Sequence, residues 1–252
     1  MEKRDGIADR ERLHFDRLAE QVGEAGTHRT TVAGLRRMRR RGRMVAALLG
    51  SYRDPHVLEI GSGAGAFSQF VLEERPRLQL VGCDVSPKCV EIANSRLKGK
   101  YRNAVFEVAD CTKLRWNDKA FDCICGCSIL HHLDVELALS ECFRVLKPGG
   151  RIWFSEPNMM NPQIAIQKNV PFIKKWLEDT PEETAFFRWR IAGHVRAAGF
   201  IDIRVRPFDF LHPSLHGPLT GVFDVIGRVV ERIPLLKEIA GSLVIQARKP
   251  NE

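Results

Sequence analysis

Short apolar runs recur along the middle of this chain, each ended by a polar or glycine-rich turn and followed by a stretch of helical period. His56–Ile60, Leu78–Asp84, Ala104–Val108, Phe121–Cys127 and Arg151–Ser155 read as strands. Ala66–Glu74, Pro87–Leu97 and Val135–Leu146 read as helices between them; the second opens on proline and the third closes on Lys147-Pro148-Gly149-Gly150. Unbroken apolar stretches such as Cys123-Ile124-Cys125 suit a sheet covered on both faces. Strands alternating with helices of about 10 residues predict βαβ units and a parallel sheet. Two helices are expected ahead of it. Residues 8–22 carry Leu13, Leu18 and Val22, and residues 30–49 carry Leu35, Met38, Val45, Leu48 and Leu49 before Gly50.

After residue 156 the rhythm breaks. Pro157, Pro162, Pro171 and Pro181 punctuate a loop-rich stretch, Glu182–Ala198 reads as a helix stopped by Gly199, and Ile201–Arg206 and Ser242–Ala247 read as strands. Residues 212–240 carry an apolar stripe at Val222, Phe223, Ile226, Val229, Val230 and Ile233. Plain core packing explains that stripe as well as a lid, a membrane-surface helix or a dimer contact does. The expected organisation is a helical cap over 1–50 and an α/β domain over 51–252, with insertions at 157–190 and 212–240.

Composition narrows the classes. A chain of 252 residues with 44% hydrophobic and 28% charged residues suits one large α/β domain with appendages. No run approaches the roughly 20 uncharged apolar residues that span a bilayer. Met1-Glu2-Lys3-Arg4-Asp5 has no apolar stretch behind it, which argues against a secretory leader. Seven cysteines, mostly inside apolar runs, imply reduced thiols and a cytoplasmic protein. No C-x-x-C pair occurs, and the alternating Cys123, Cys125 and Cys127 read as small core residues, so no metal is expected. The net charge of +8 implies an anionic partner, yet much of it sits in Arg36, Arg37, Arg39, Arg40, Arg41 and Arg43. That run suits RNA phosphate, phospholipid or an anionic acceptor on one reading and a solvated helix face on another.

The candidate chemistry lies at the strand ends. Val57-Leu58-Glu59-Ile60-Gly61-Ser62-Gly63-Ala64-Gly65 is a strand running into a glycine-rich turn ahead of a helix. Glycines there let a nucleotide-like ligand approach bare backbone, and the helix offers free N–H groups. Asp84 ends the next strand, where a carboxylate accepts from both ribose hydroxyls, with Val85 beside the base. A turn or cap role for Asp84 ahead of Pro87 is the plainer alternative. Asp110-Cys111 follows the third strand and suits an adenine edge, or is an ordinary loop aspartate. Gly61–Ala66 also satisfies the G-x-G-x-x-A dinucleotide pattern, so the turn alone leaves a nicotinamide enzyme open.

Further on stand Phe121-Asp122, Leu130-His131-His132-Leu133 and Leu146-Lys147-Pro148-Gly149-Gly150. With the glycine turn, Asp84 and Asp110 in this order, the chain resembles the class I S-adenosylmethionine-dependent methyltransferases of small-molecule type. The likeness is good over about residues 56–156 and loose elsewhere. It implies a Rossmann-like, doubly wound sheet of seven strands, the last antiparallel. It implies that Glu59, Gly61, Ser62, Gly63 and Gly65 shape the methionine end, that Asp84 and Val85 take the ribose and its surroundings, and that Asp110 and Cys111 take adenine. Gly126 and Cys127 would lie beside the sulfonium. His131 and His132 are candidate bases, or cap and packing residues. Glu156 and Asn158, after the fifth strand, are candidate acceptor contacts. The resemblance implies methyl transfer from S-adenosylmethionine, leaving S-adenosylhomocysteine, to an oxygen, nitrogen or carbon of a small or lipid-like molecule, with peripheral membrane contact and a homodimer among the expectations. A nucleic-acid methyltransferase using the Arg36–Arg43 run is the alternative, weakened by the lack of an Asn-Pro-Pro-Tyr, Asp-Pro-Pro-Tyr or Pro-Cys motif and of an RNA-binding module. A cofactor-binding scaffold without turnover is the other.

Overall fold

A computed structural model describes residues 2–22, 31–176, 180, 183–215 and 217–252. Thr30, Pro181 and Glu182, on which part of the sequence reading falls, lie outside the described residues, as does the side chain of Val22.

The strands are β1 (His56–Ile60), β2 (Gln79–Asp84), β3 (Ala104–Val108), β4 (Phe121–Cys127), β5 (Leu146–Pro157), β6 (Ile201–Phe208) and β7 (Ser242–Arg248). They form one seven-stranded sheet in the order β3-β2-β1-β4-β5-β7-β6. Pairing is parallel from β3 through β5, and β7 runs antiparallel to both its neighbours, β5 and β6. This is the Rossmann-like methyltransferase sheet that the resemblance implied. The strand order reverses between β1 and β4, and ligands of open α/β sheets bind in the crevice at the carboxyl ends there.

Period-two alternation sorts the strand residues onto two faces. Leu58, Ile60 and Ile124 pack with Leu139, Cys142 and Val145 of α5 (Val135–Val145) and Ile191 and Val195 of α8 (Arg188–Ala197). Val57, Cys123, Cys125, Cys127 and Trp153 face the other way, onto α2 (Val32–Leu49), α3 (Ala66–Glu74) and α4 (Pro87–Leu97). All seven cysteines are buried, and burial pushes the Cys123 thiol up to about 12. Gly42 lets α2 close onto α3: a Cβ there would lie 2.8 Å from the backbone carbonyl carbon and oxygen of Phe70.

Three expectations need correction. Residues 157–176, expected as loop, contain α6 (Pro162–Asn169), capped by the Asn161 side chain accepting from Ile164 N, and α7 (Pro171–Trp176). Proline at the first helical position starts α6 rather than breaking it. The following helix, expected from Glu182, begins at Arg188, because 184–187 form an extended segment in which Phe186 bridges Asn158. In α1 (Glu2–Val22) the inward position is Glu11, which is buried, while Leu13 is exposed.

The arginine run of α2 is in part a solvated face, with Arg36, Arg39 and Arg43 exposed, while Arg37, Arg40 and Arg41 turn into the protein. Arg37 Nε and Arg41 Nη2 each lie 3.0 Å from Asp209 Oδ2, and Arg41 is only 2% exposed. Arg40 clasps both oxygens of Glu231, Arg36 pairs with Asp224 and Arg43 with Glu74. Arg39 lies over the Phe70 ring. Arg36, Arg37, Arg40 and Arg41 thus tie α2 to the segment ahead of β7, and each of these four charges already faces a carboxylate.

Candidate functional site

The glycine turn takes a conformation that side chains resist. Gly61, Gly63 and Gly65 have φ of 65°, 50° and 74°. A Cβ on Gly61 would lie 2.4 Å from Ile129 Cγ1, and one on Gly126 would lie 2.7 Å from Ile129 Cγ2 and 2.9 Å from the Ile60 carbonyl. Ile129 therefore bridges the ends of β1 and β4. Asp84 is buried at the end of β2, with Oδ2 accepting from Gly63 N at 2.8 Å and Oδ1 from Ser86 N at 3.0 Å. Ser62 Oγ in the same turn is buried without a hydrogen-bond partner. Val85 is half-buried beside it.

Other predicted residues are less open. Glu59 is buried beneath the turn and accepts from Ser68 Oγ at 2.6 Å, which anchors α3 to β1. Asp110 Oδ1 accepts from Thr112 N and Oγ1, a self-contained loop turn. Cys111 is buried in the core, and Cys127 lies in the core on the α2 side. Asn158 is buried, with Nδ2 donating to the Glu238 and Ala240 carbonyls and Oδ1 accepting from Met160 N, so it fastens the 238–240 segment.

A charged cluster lies one step beyond Ile129. Ser128 turns the chain at φ 58°, strained for a non-glycine residue, and Leu130–His132 form a short helical turn. Glu156 holds that turn: Oε1 accepts from Ile129 N and Leu130 N, and Oε2 lies 2.6 Å from His131 Nδ1. His131 Nε2 faces Glu183 Oε1 at 3.7 Å, and Lys168 Nζ binds that same carboxylate. His132 Nδ1 lies 3.1 Å from Glu11 Oε2, although neither atom makes an aligned hydrogen bond; Thr180 Oγ1 donates to Glu11 Oε1 at 2.7 Å.

Burial and charge split the two histidines. Burial opposes the charged form of His131, but Glu156 and Glu183 outweigh it and raise the group to about 9. Burial, then the charge on His131, pull His132 below its ordinary value against Glu11 and Glu183. Glu183 is held well below the usual carboxylate range, against its burial, by His131, His132 and Lys168. Glu11 is lowered too, with His132 and Thr180 overcoming burial. Near neutral pH, His131 is thus an imidazolium fixed between carboxylates, and His132 is a neutral imidazole. His131, His132 and Glu183 bring one ligand atom each within 4.8 Å of one another, a spacing that suits a metal ion, while Lys168 already supplies Glu183 with a positive partner. Glu11, Lys168, Thr180 and Glu183 were invisible to sequence reasoning. They come from α1, α6 and the segment before α8, and no local spacing links them.

Residues 57–150 match the family model described as a methyltransferase domain. Within that stretch the chain is similar to the class I S-adenosylmethionine-dependent methyltransferases. The family's cofactor is S-adenosylmethionine, and the positive-φ glycines, the buried carboxylate of Asp84 and the orphaned Ser62 hydroxyl fit a polar nucleoside at this crevice. The chain is 32% identical over 126 residues to the demethylmenaquinone methyltransferase of Deinococcus radiodurans, covering 50% of this chain and 52% of that protein. It is 31% identical over 152 residues to phosphoethanolamine N-methyltransferase 3 of Arabidopsis thaliana, covering 58% of this chain and 29% of that one. The chain thus spans about half the length of the first relative and less of the second. Phosphoethanolamine N-methyltransferase 2 of Haemonchus contortus, solved with S-adenosyl-L-methionine, shares the fold at a TM-score of 0.63 and 17% identity, over 94% of this chain and 56% of that one. Among the described residues no helix is long and apolar enough to cross a membrane.

Proposed function

We propose that this chain transfers a methyl group to an oxygen, nitrogen or carbon atom of a small or lipid-like acceptor in the cytoplasm, with the His131–His132 cluster facing that acceptor. The observation carrying this reading is the pairing of a raised and a lowered histidine, buried among Glu11, Glu156 and Glu183, two and three residues beyond the isoleucine that lines the glycine turn. The quinone and phosphoethanolamine named for its relatives are small acceptors and support the same class.

When bound, S-adenosylmethionine supplies a methyl group on a positive sulfur, and its transfer leaves S-adenosylhomocysteine. Asp84 would accept from the ribose, Asp110 and the Cys111 N–H would meet adenine, and Gly61, Ser62, Gly63 and Gly65 would shape the methionine end above Glu59. Gly126 and Cys127 would border the reacting sulfur. His132, neutral at pH 7, would take a proton from an acceptor hydroxyl or acidic carbon. Glu156 is a positioning residue: it fixes the turn that presents both imidazoles. The helices over 1–50 and the segments 157–190 and 212–240 would build the acceptor pocket, and alignment with exclusion of water would supply much of the rate.

The test is a methyl-transfer screen over quinols, phenols and phosphobases. Turnover with one class is the expected result, and His132→Gln should lower kcat by about 100-fold for a hydroxyl or carbon acceptor while cofactor affinity holds. A chain that binds cofactor and turns over none of these classes would be a scaffold.

A further inference from the structure

One helix near the site is packed inside out. Helix α9 (Thr220–Val230) buries Thr220, Asp224 and Gly227, and the row continues to Glu231. These positions share a face at helical spacing. That polar face meets α2, with Asp224 lying 3.6 Å from Arg36 and Glu231 clasped by Arg40. The apolar face points outward: Val222, Phe223, Val225, Ile226 and Val229 are all exposed. A helix held by an ordinary core shows the reverse. Of the alternatives the sequence left open for this stripe, plain core packing is therefore excluded, because the stripe lies on the surface.

The patch extends beyond α9. Leu235 is 85% exposed, Phe172 78% and Trp176 75%. The two segments are joined at one end, where Asn161 Nδ2 donates to the Ile239 carbonyl at 2.8 Å and Asn158 Nδ2 to those of Glu238 and Ala240. Exposed apolar groups on this scale mark an interaction surface.

Charge identifies the occupant. Residues 160–176 hold no acidic residue; of their three lysines, Lys168 and Lys174 bind the carboxylate and the carbonyl of Glu183, and Lys175 is exposed. The three acids in 217–240 are paired internally: Asp224 with Arg36 and Arg228, Glu231 with Arg40, and Glu238 with Arg188. Arg232 and Lys175 remain exposed beside the apolar side chains. An apolar face rimmed by cations and tipped with aromatic rings suits an anionic lipid surface. A second copy of the chain would bring the same cations against this face and be repelled.

We propose that the outer face of α9, with 231–239 and α6–α7, docks on an anionic bilayer. The inference rests on the lipid-like acceptor of the proposed reaction and extends it: α6 carries Lys168, which binds Glu183 of the histidine cluster, so the docked segment reaches the site. A lipid-like acceptor would then enter from the membrane side.

The test is flotation of the full chain with vesicles of phosphatidylcholine, with and without phosphatidylglycerol. The expected result is binding to anionic vesicles that falls with salt, and a blue shift of tryptophan fluorescence that is lost in Trp176→Phe. Phe223→Ser with Ile226→Ser should weaken partitioning at least about tenfold. Arg232→Glu should weaken it on anionic vesicles and leave neutral ones unchanged. A folded chain that stays with the soluble fraction on every vesicle overturns the proposal. So does a stable dimer by light scattering that the Phe223→Ser, Ile226→Ser variant dissociates. Cofactor titration on the same samples separates the two claims. Retained S-adenosylmethionine binding without vesicle binding removes only the docking surface, while loss of cofactor binding removes the reaction.

Discussion

Asp209→Asn should destabilise this protein more than any surface substitution. The carboxylate is buried and serves two guanidinium groups, those of Arg37 and Arg41, each at 3.0 Å. At that distance an effective dielectric of about 20 gives roughly 5 kcal/mol of attraction per pair, most of which offsets desolvation. Removing the charge leaves two buried cations facing each other. Burial already draws Arg37 down to about 10, and Arg41 repels it further. Asparagine keeps the shape, keeps the acceptor used by Leu211 N, and tolerates the positive φ of 75° at this position. The expected loss is therefore electrostatic, about 3–5 kcal/mol, the usual cost of orphaning a buried charge. For a chain of this size that is a fall in Tm of roughly 10 °C. Urea unfolding followed by circular dichroism, read as a lower midpoint at unchanged slope, measures it. The combined Arg37→Met, Arg41→Met, Asp209→Asn variant should recover most of the loss, since no charge is then left unpaired while the Leu211 N acceptor and the positive φ are kept. A midpoint for Asp209→Asn within about 0.5 kcal/mol of the parent would refute the claim that the arginine run is an internal clamp.

The histidine cluster makes stability fall on the alkaline side. His131 is raised from 6.5 to about 9, so its contribution is fully present below pH 6.5 and is lost as pH rises through 9, at most about 3 kcal/mol. His132, lowered, acts in the opposite direction, losing its contribution as pH falls. Urea midpoints across this range should show the alkaline loss, and His131→Gln should flatten it. Gly126→Ala should cost about 1–3 kcal/mol of stability, because its Cβ would meet the Ile60 carbonyl at 2.9 Å, where backbone has no room to yield. The parent's urea midpoint would contradict it.

The sheet was readable because its strands are apolar on both faces and its turns carry glycine and proline at positions with few alternatives. Strand ends at Ile60, Cys127 and Asp84 fell where periodicity placed them. The second half was not readable to the same degree. Asn161-Pro162 starts a helix, although proline also marks a break, and only the capping bond decides between them. Apolar periodicity in 222–233 was correctly read as a stripe and gave no sign of which way it faces, because that depends on Asp224 and Glu231 finding Arg36 and Arg40 more than 180 residues away in the chain. The same limit hid Glu11 and Glu183. Their charge is bound to His131 and His132 by tertiary contact, and local pattern carries no record of it. The glycine turn and Asp84, by contrast, are a local motif whose geometry is fixed by φ and by the hydrogen bond that Gly63 N in the turn donates to the Asp84 carboxylate.

Isothermal titration of the folded chain with S-adenosylmethionine and, separately, with NADH tests the central claim most directly. The account predicts a Kd for S-adenosylmethionine near the micromolar range, about −8 kcal/mol, and no heat with NADH. Asp84→Ala, confirmed folded by its own unfolding curve, should weaken the first by about 10–100-fold through loss of a charge-assisted hydrogen bond to ribose. Binding of NADH in its place, or S-adenosylmethionine affinity unchanged in Asp84→Ala, would contradict it.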